Sequence, residues 1–397
     1  MSSNFGFNNT TIKVLIFNTH GPFSKMFLTS LLNKTTLNNV VNNTNIELKL
    51  KLKEDEDLIS STERVIKNLF DPNVPIPLDD CNPFKDSQYE RDVFSTFKLN
   101  SQIFPFISST VLELTEKRDR RAYLIEFITI SGEWIDNYDT NTSGEYKQLL
   151  QDLISEAQTI MITIDSVFML EDAGVSALKK NKVEAITKII QENYNSRCEF
   201  EQKLITFIPL NCEKYYNTHM ELVNFPDRFC EFEEDPMFVL MTQVKRVYAP
   251  LIRWCADVIN RNALNLDVAI LPVMTLGNIQ FSHFDISRSE LPNYSDMYYT
   301  YYKQFTGTCD DDFTLPEYAP KFCEQPLLYV LLHLFGKAKQ FIEFKRRFDC
   351  VLPRMSAISR LIYDTELIYN IPLLRGNLVT EKDGYLREIF QSPNLPF

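Results

Sequence analysis

Glycine is scarce, at ten residues in 397, which argues against a low-complexity or fibrous protein. Metal-binding spacing is absent as well. The eight cysteines (Cys81, Cys198, Cys212, Cys230, Cys255, Cys309, Cys323, Cys350) form no C-x-x-C pair and the four histidines are scattered, so a zinc site has no support. No uninterrupted apolar run approaches the roughly 20 residues needed to span a bilayer. Met1-Ser2-Ser3-Asn4 lacks the basic stretch and apolar block of a secretory signal. With cysteines such as Cys255 set beside apolar residues, the expectation is a reduced, cytoplasmic chain that does not enter membranes. Basic residues are outnumbered 41 to 53, a net charge of −12, which repels phosphate backbones, so nucleic acid is not an expected partner. The densest basic run, Lys117 to Arg121, sits between two apolar stretches and reads as a solvated hairpin turn. Neither a G-x-S-x-G elbow nor an H-E-x-x-H helix occurs.

What is present is apolar and aromatic. Hydrophobic residues make up 44%, with 30 Phe and 18 Tyr, enough for a Phe-rich core in one large domain or two ordinary ones. Buried strands are predicted over 11–17, 159–164, 203–209 and 266–271, and a hairpin over 110–115 and 122–130. Helices are predicted over 26–32, 143–156, 180–193, 236–262 and 325–347, with shorter ones near 60–70 and 356–364. Residues 18–25 read as a loop. The alternation implies an α/β fold: three layers, a mainly parallel sheet and one antiparallel edge hairpin. The apolar stretch from Gln325 to Gly336 is read as core, with a partner-protein groove as the alternative.

In such folds ligands bind beyond the carboxyl ends of the strands, so the loops there carry the functional reading. After the first strand comes Thr19-His20-Gly21-Pro22-Phe23-Ser24-Lys25-Met26. A phosphate-binding loop needs glycines for close backbone approach, a lysine, and a hydroxyl for Mg²⁺. Aligned on Lys25, Thr19 and Ser24 replace the framework glycines and Met26 replaces the hydroxyl. Second, Thr129-Ile130-Ser131-Gly132-Glu133 follows the hairpin in the manner of D-x-x-G, with Thr129 in the place of the aspartate. Third, Pro209-Leu210-Asn211-Cys212-Glu213 parallels (N/T)-K-x-D, with Asn211 and Glu213 in the lysine and aspartate places. Fourth, Pro272-Val273-Met274-Thr275-Leu276-Gly277 follows the last strand. Each has a plain reading beside the functional one: Lys25 and Glu213 as surface residues, Gly132 as an ordinary turn glycine.

In their order these motifs resemble those of a small-GTPase-type P-loop domain in degenerate form, over roughly 11–282. The ISGE, PLNCEKY and LPVMTLG stretches are most similar to the double-GTPase-like proteins of bacterial conflict (anti-phage) systems. The resemblance implies a disordered tail at 1–10, a GTPase-like P-loop domain over 11–285 and an α-helical extension over 286–397. Residues 33–105 would be an irregular insertion in the first switch region. It implies candidate nucleotide contacts at Gly21, Ser24, Lys25, Gly132, Asn211 and Glu213, and switch positions at Thr110 and Thr129. With both Mg²⁺-contact positions replaced, GTP or GDP would be held weakly and largely without Mg²⁺. The function implied is a pseudo-GTPase, a regulatory or scaffolding subunit for protein partners, in an antiviral-defence setting, without efficient hydrolysis. Two alternatives stand: an active divergent NTPase drawing Mg²⁺ ligands such as Asp79 and Asp80 from the insertion, and a purely structural assembly protein.

Other carboxylates have plain explanations. Asp165 ends a strand as a capping residue, Asp310-Asp311-Asp312 lacks the alternation of a calcium loop, and His283 with Asp285 are merely close in sequence.

Overall fold

Thr11–Phe17 forms β1, and six of its seven residues are buried. Because side chains alternate across a strand, a run with no exposed side must be covered on both faces. Val14 and Ile16 enter one apolar cluster, and Leu15 and Phe17 enter the other. The computed structural model describes residues 11–390 except 64–75, 78–95, 118–121, 140–143, 172–176, 195–201, 225–233, 287–296, 304–319, 349–369, 378–386 and a few shorter gaps.

The elements continue with α1 (Gly21–Leu32), α2 (Lys34–Val40), β2 (Ile46–Leu50), β3 (Ile76–Pro77), β4 (Thr96–Leu99), β5 (Gln102–Glu116) and β6 (Ala122–Ile130). Next come α3 (Gly132–Asp136), α4 (Gly144–Glu156), β7 (Thr159–Asp165), α5 (Ser166–Leu170), α6 (Ala177–Lys180), α7 (Val183–Asn193) and β8 (Gln202–Leu210). The remainder is α8 (Glu213–Asn224), α9 (Pro236–Val247), α10 (Ala249–Asn262), β9 (Asn265–Ile270), β10 (Ile279–Ile286), β11 (Met297–Lys303), α11 (Gln325–Phe348), α12 (Ile371–Asn377) and β12 (Arg387–Phe390).

The main sheet has nine strands in the order β12-β9-β8-β7-β1-β6-β5-β2, with β4 also paired to β5. The pairs β6–β1, β1–β7, β7–β8 and β8–β9 are parallel. Ranked by chain order, these five strands run 2-1-3-4-5, a doubly wound arrangement whose order reverses between β1 and β7. Helices cover both faces: α1, α2, α11 and α12 lie with Val14 and Ile16, and α3, α4, α7, α9 and α10 with Leu15 and Phe17. The three-layer α/β expectation therefore holds, and the predicted antiparallel hairpin is β5–β6.

Several expectations are corrected. The hairpin is not the edge: β2 pairs outside β5, and β12 pairs antiparallel to β9 at the far side. Part of 33–105 is thus built into the sheet, while β3 joins β10 and β11 in a separate small sheet. Strand β2 was missed because its Lys/Glu alternation resembles a solvated charged segment, yet Ile46 and Leu48 are buried. The carboxy-terminal third is not wholly helical, since it supplies β11 and β12. The single helix predicted over 236–262 is two, broken at Tyr248. Pro250 is the cause, because it cannot donate to the carbonyl a turn earlier and is accommodated only in the first turn of a new helix. Likewise 180–193 divides into α6 and α7 at Lys182, which is left-handed at φ 51°. The predicted 60–70 helix falls largely outside the described residues, and the helix at 356–364 and the tail at 1–10 lie wholly outside them.

Helix α11 is core rather than groove: Leu327, Leu328, Val330, Leu331, Leu334 and Phe335 are buried. Its His333 Nδ1 meets Asp267 of β9 at 2.9 Å, both side chains buried, so the helix is locked to the sheet by a polar pair as well as by apolar packing. No helix among the described residues is long and apolar enough to cross a membrane.

At the amino ends of the strands, buried Lys203 of β8 donates through Nζ to the carbonyls of Ile154 at 2.9 Å and Ser155 at 2.5 Å. These belong to the last turn of α4, where carbonyls lack helical partners and the dipole is negative. Its ammonium also lies 5.1 Å from the centre of the Tyr194 ring. Lys203→Met keeps the stem but strands both carbonyls, and is expected to lower stability by about 2 kcal/mol in urea denaturation. A change below about 0.5 kcal/mol would show that water satisfies them instead.

Candidate functional site

The loops after β1, β6, β7, β8 and β9 all leave the carboxyl edge of the parallel sheet, and those after β1 and β7 flank the reversal of strand order. The motif loops therefore share one edge. They divide into two groups joined through the end of β7.

In the first group, the Asn18 amide donates to the Ile130 carbonyl at 3.0 Å, extending the β1–β6 ladder by one residue. Thr19 is buried and tied to β7: its amide donates to Thr163 Oγ1 at 3.1 Å, and its hydroxyl donates to the Thr163 carbonyl at 2.7 Å. Helix α1 then begins at Gly21, three residues after β1 ends, which corrects the reading of 18–25 as a loop. Without glycines at positions 19 and 24 the backbone takes the helical path, and Pro22 is welcome in a first turn. Gly21, Ser24 and Lys25 are consequently the first, fourth and fifth residues of a helix. After this three-residue connection the amides from Lys25 onward are committed to the helix, Pro22 has none, and those of Gly21, Phe23 and Ser24 have no intrahelical acceptor. The side chains of Ser24 and Lys25 lie outside the described residues.

Gly132 opens α3 directly against this connection. A Cβ placed on it would lie 2.9 Å from the Asn18 carbonyl oxygen, 2.9 Å from Lys182 Cε and 3.2 Å from the Thr19 carbonyl oxygen. The glycine is required for close approach of two backbones, and the Lys182 stem covers it. Lys182 Nζ pairs with Asp136 in the same short helix. Thr129 and Thr110 are both buried within strands: Thr129 stands opposite Ile16 of β1 and Ser108 of β5, and Thr110 opposite Phe127. Alternation puts both threonines on the α1 face of the sheet with Phe127.

The second group is centred on Glu213, the first residue of α8, whose side chain is fully buried. Its Oε1 accepts from the amides of Leu276 and Gly277, the latter at 3.1 Å. Oε2 has no partner among the described residues. Burial pushes the carboxyl up to about 8, against the opposing pull of the Leu276, Glu213 and Gly277 amides and of Lys321. Asn211 adopts φ 59°, a region asparagine tolerates, and its amide donates to Thr275 Oγ1 at 3.2 Å. Gly277 has φ 72°, which suits glycine and lets two successive amides face one carboxylate oxygen. The third and fourth motif loops are thus bound to each other.

The end of β7 links the groups. Thr163 holds Thr19, and Ser166 lies 3.1 Å from the sulfur of buried Cys212. Burial raises the Cys212 thiol far above its usual range, so it is an inert core group. Asp165 caps α5 by accepting from the Val167 amide at 3.0 Å, as its position at a strand end suggested. The structure therefore gathers Thr19 with Gly132, and Asn211 with Glu213 and 275–277. Asp79, Asp80 and Asp310 to Asp312 fall outside the described residues, as do the side chains of His283 and Asp285. Sequence reasoning missed Thr163, Ser166 and Lys182. A lysine gives no sign of left-handed backbone, whereas the position of Thr163 near the end of a buried strand was a usable signal.

Two expectations follow. Gly132→Ala forces a methyl against backbone oxygens that cannot swing aside and should cost about 1–3 kcal/mol in urea denaturation. Glu213 is protonated in the fold at pH values where the unfolded chain is ionised, so its contribution is complete below about 4.5 and lost as pH rises through about 8. Glu213→Gln keeps the acceptor and removes the charge. Its Tm should exceed wild type by about 2–4 °C at pH 8 and match it near pH 5; a constant difference across that range would refute the assignment.

No family model matches this chain, and no curated protein matches it either.

Proposed function

We propose that this chain is a pseudo-GTPase: an α/β switch-type domain that serves as a scaffolding or regulatory protein-binding subunit and does not hydrolyse nucleotide efficiently. The observation that carries this reading is the start of α1 at Gly21, three residues after β1. Phosphoryl transfer depends on loop amides, a lysine and Mg²⁺ placed together around the phosphates, and a helix in that place commits the amides from Lys25 onward to its own carbonyls, while Pro22 has none to offer. Two further arrangements support it. Gly132 is covered by the Lys182 stem rather than open to a phosphate. The Glu213 carboxylate, which the resemblance would assign to a guanine edge, is engaged by Leu276 and Gly277. The parallel order of five strands, with antiparallel β5 directly before β6, supports the GTPase-type scaffold behind these altered loops. Partners are proteins on this reading, in a setting that the sequence resemblance places in antiviral defence.

Thermal unfolding with GTP, GDP and ATP, each at ~1 mM with Mg²⁺ or with EDTA, tests the proposal, because binding to the native state raises Tm by mass action. The expected shift is below about 1 °C for each nucleotide, equal with Mg²⁺ and EDTA, and unchanged in Lys25→Ala. A shift of several degrees that requires Mg²⁺ and disappears in Lys25→Ala would replace the proposal with an active NTPase.

A further inference from the structure

Between α7 and the junction of α9 with α10 runs a groove of about 640 Å³ that shares no residue with the site above. Its existence follows from Pro250, which ends one helix and starts the next. Val183 of α7 and Val247 and Pro250 at the junction supply an apolar lining. Arg246 from α9 and Arg253 from α10 line the same groove, both exposed, and neither forms an ion pair among the described residues. Lys188 also lines it but is engaged by Asp139 at 2.5 Å, and Glu184 is the one acidic lining residue. Two unneutralised guanidiniums beside an apolar surface reverse the sign locally in a chain of net charge −12.

Small-molecule sites share these traits: roughly 300–1,000 Å³, mostly apolar walls, and a few convergent polar groups that fix orientation.

The geometry points to a binding site for a small organic anion, with an apolar body seated on Val183, Val247 and Pro250. Its carboxylate, sulfonate or phosphate group is held by Arg246 and Arg253. Arginine suits this role because its planar fork presents two donors to an oxyanion. The assignment goes beyond the pseudo-GTPase proposal and does not depend on it.

The probe is 8-anilinonaphthalene-1-sulfonate, an aryl body carrying one sulfonate. N-phenyl-1-naphthylamine, with the same body and no charge, is the control. Fluorescence titration should show saturable 1:1 binding of the sulfonate to the wild-type chain. The double variant Arg246→Gln with Arg253→Gln should weaken it about tenfold, two charge-assisted contacts being lost, while binding of the neutral dye changes less than about twofold. Both arginines are exposed, so the double variant should keep the wild-type circular dichroism and Tm. If the sulfonate binds the double variant as well as wild type, or if both dyes respond alike to it, the site is apolar stickiness and the proposal fails.

Discussion

The structure depends first on β1 being paired in parallel on both sides and covered on both faces. Its register sets Ile16 against Thr129 in β6 and against Met161 in β7, so the ends of three strands are fixed relative to one another. With the ends fixed, so are the points at which the 18–20, 131–132 and 166–170 connections leave the sheet. The close approach of Gly132 to the Asn18 and Thr19 carbonyls is a consequence, and it is tolerated only because that residue has no Cβ. A one-residue slip would turn the apolar side chains of β1 to the opposite faces, so both apolar clusters oppose it.

The carboxyl edge of the sheet is stitched internally rather than left open. Thr19 is held by Thr163, Cys212 lies beside Ser166, Asn211 is held by Thr275, and Glu213 by the amides of Leu276 and Gly277. A buried carboxylate aimed at two backbone amides is inexpensive only while those bonds persist. Burial nevertheless dominates, moving its protonation into the neutral pH range. Thr19, Asn211 and Glu213 Oε1 thus bond to neighbouring strands and loops of the same edge.

Much of the core was legible from periodicity. Runs such as TIKVLIF and TIMITID are apolar on consecutive residues, and buried parallel strands of this kind have few alternatives. Helix α11 was equally plain, since its apolar positions recur at helical spacing over many turns. Long-range pairing was not legible. Strand β2 carries the pattern IELKL, whose charges belong to an outer strand, and nothing local specifies that it pairs with 112–116. Strand β12 is four residues long and joins β9 from more than a hundred residues away in sequence. At the site, Gly132 and Glu213 were found by motif order, but their partners were not. The helical path of 21–25 replaced the loop read over 18–25, and its cue was the absence of glycine at positions 19 and 24 together with Pro22.

By itself the sequence determined the α/β class, the central buried strands, the hairpin before Gly132 and the absence of glycine at positions 19 and 24. These follow from hydrophobic periodicity and from local conformational limits, which act over a few residues. Only the tertiary structure decided that β2 and β12 extend the sheet, that the Lys182 stem covers Gly132, and that Glu213 turns to the amides of the following loop. Each of these depends on groups brought together across 50 residues or more, where burial and hydrogen-bond satisfaction, rather than local preference, select the arrangement.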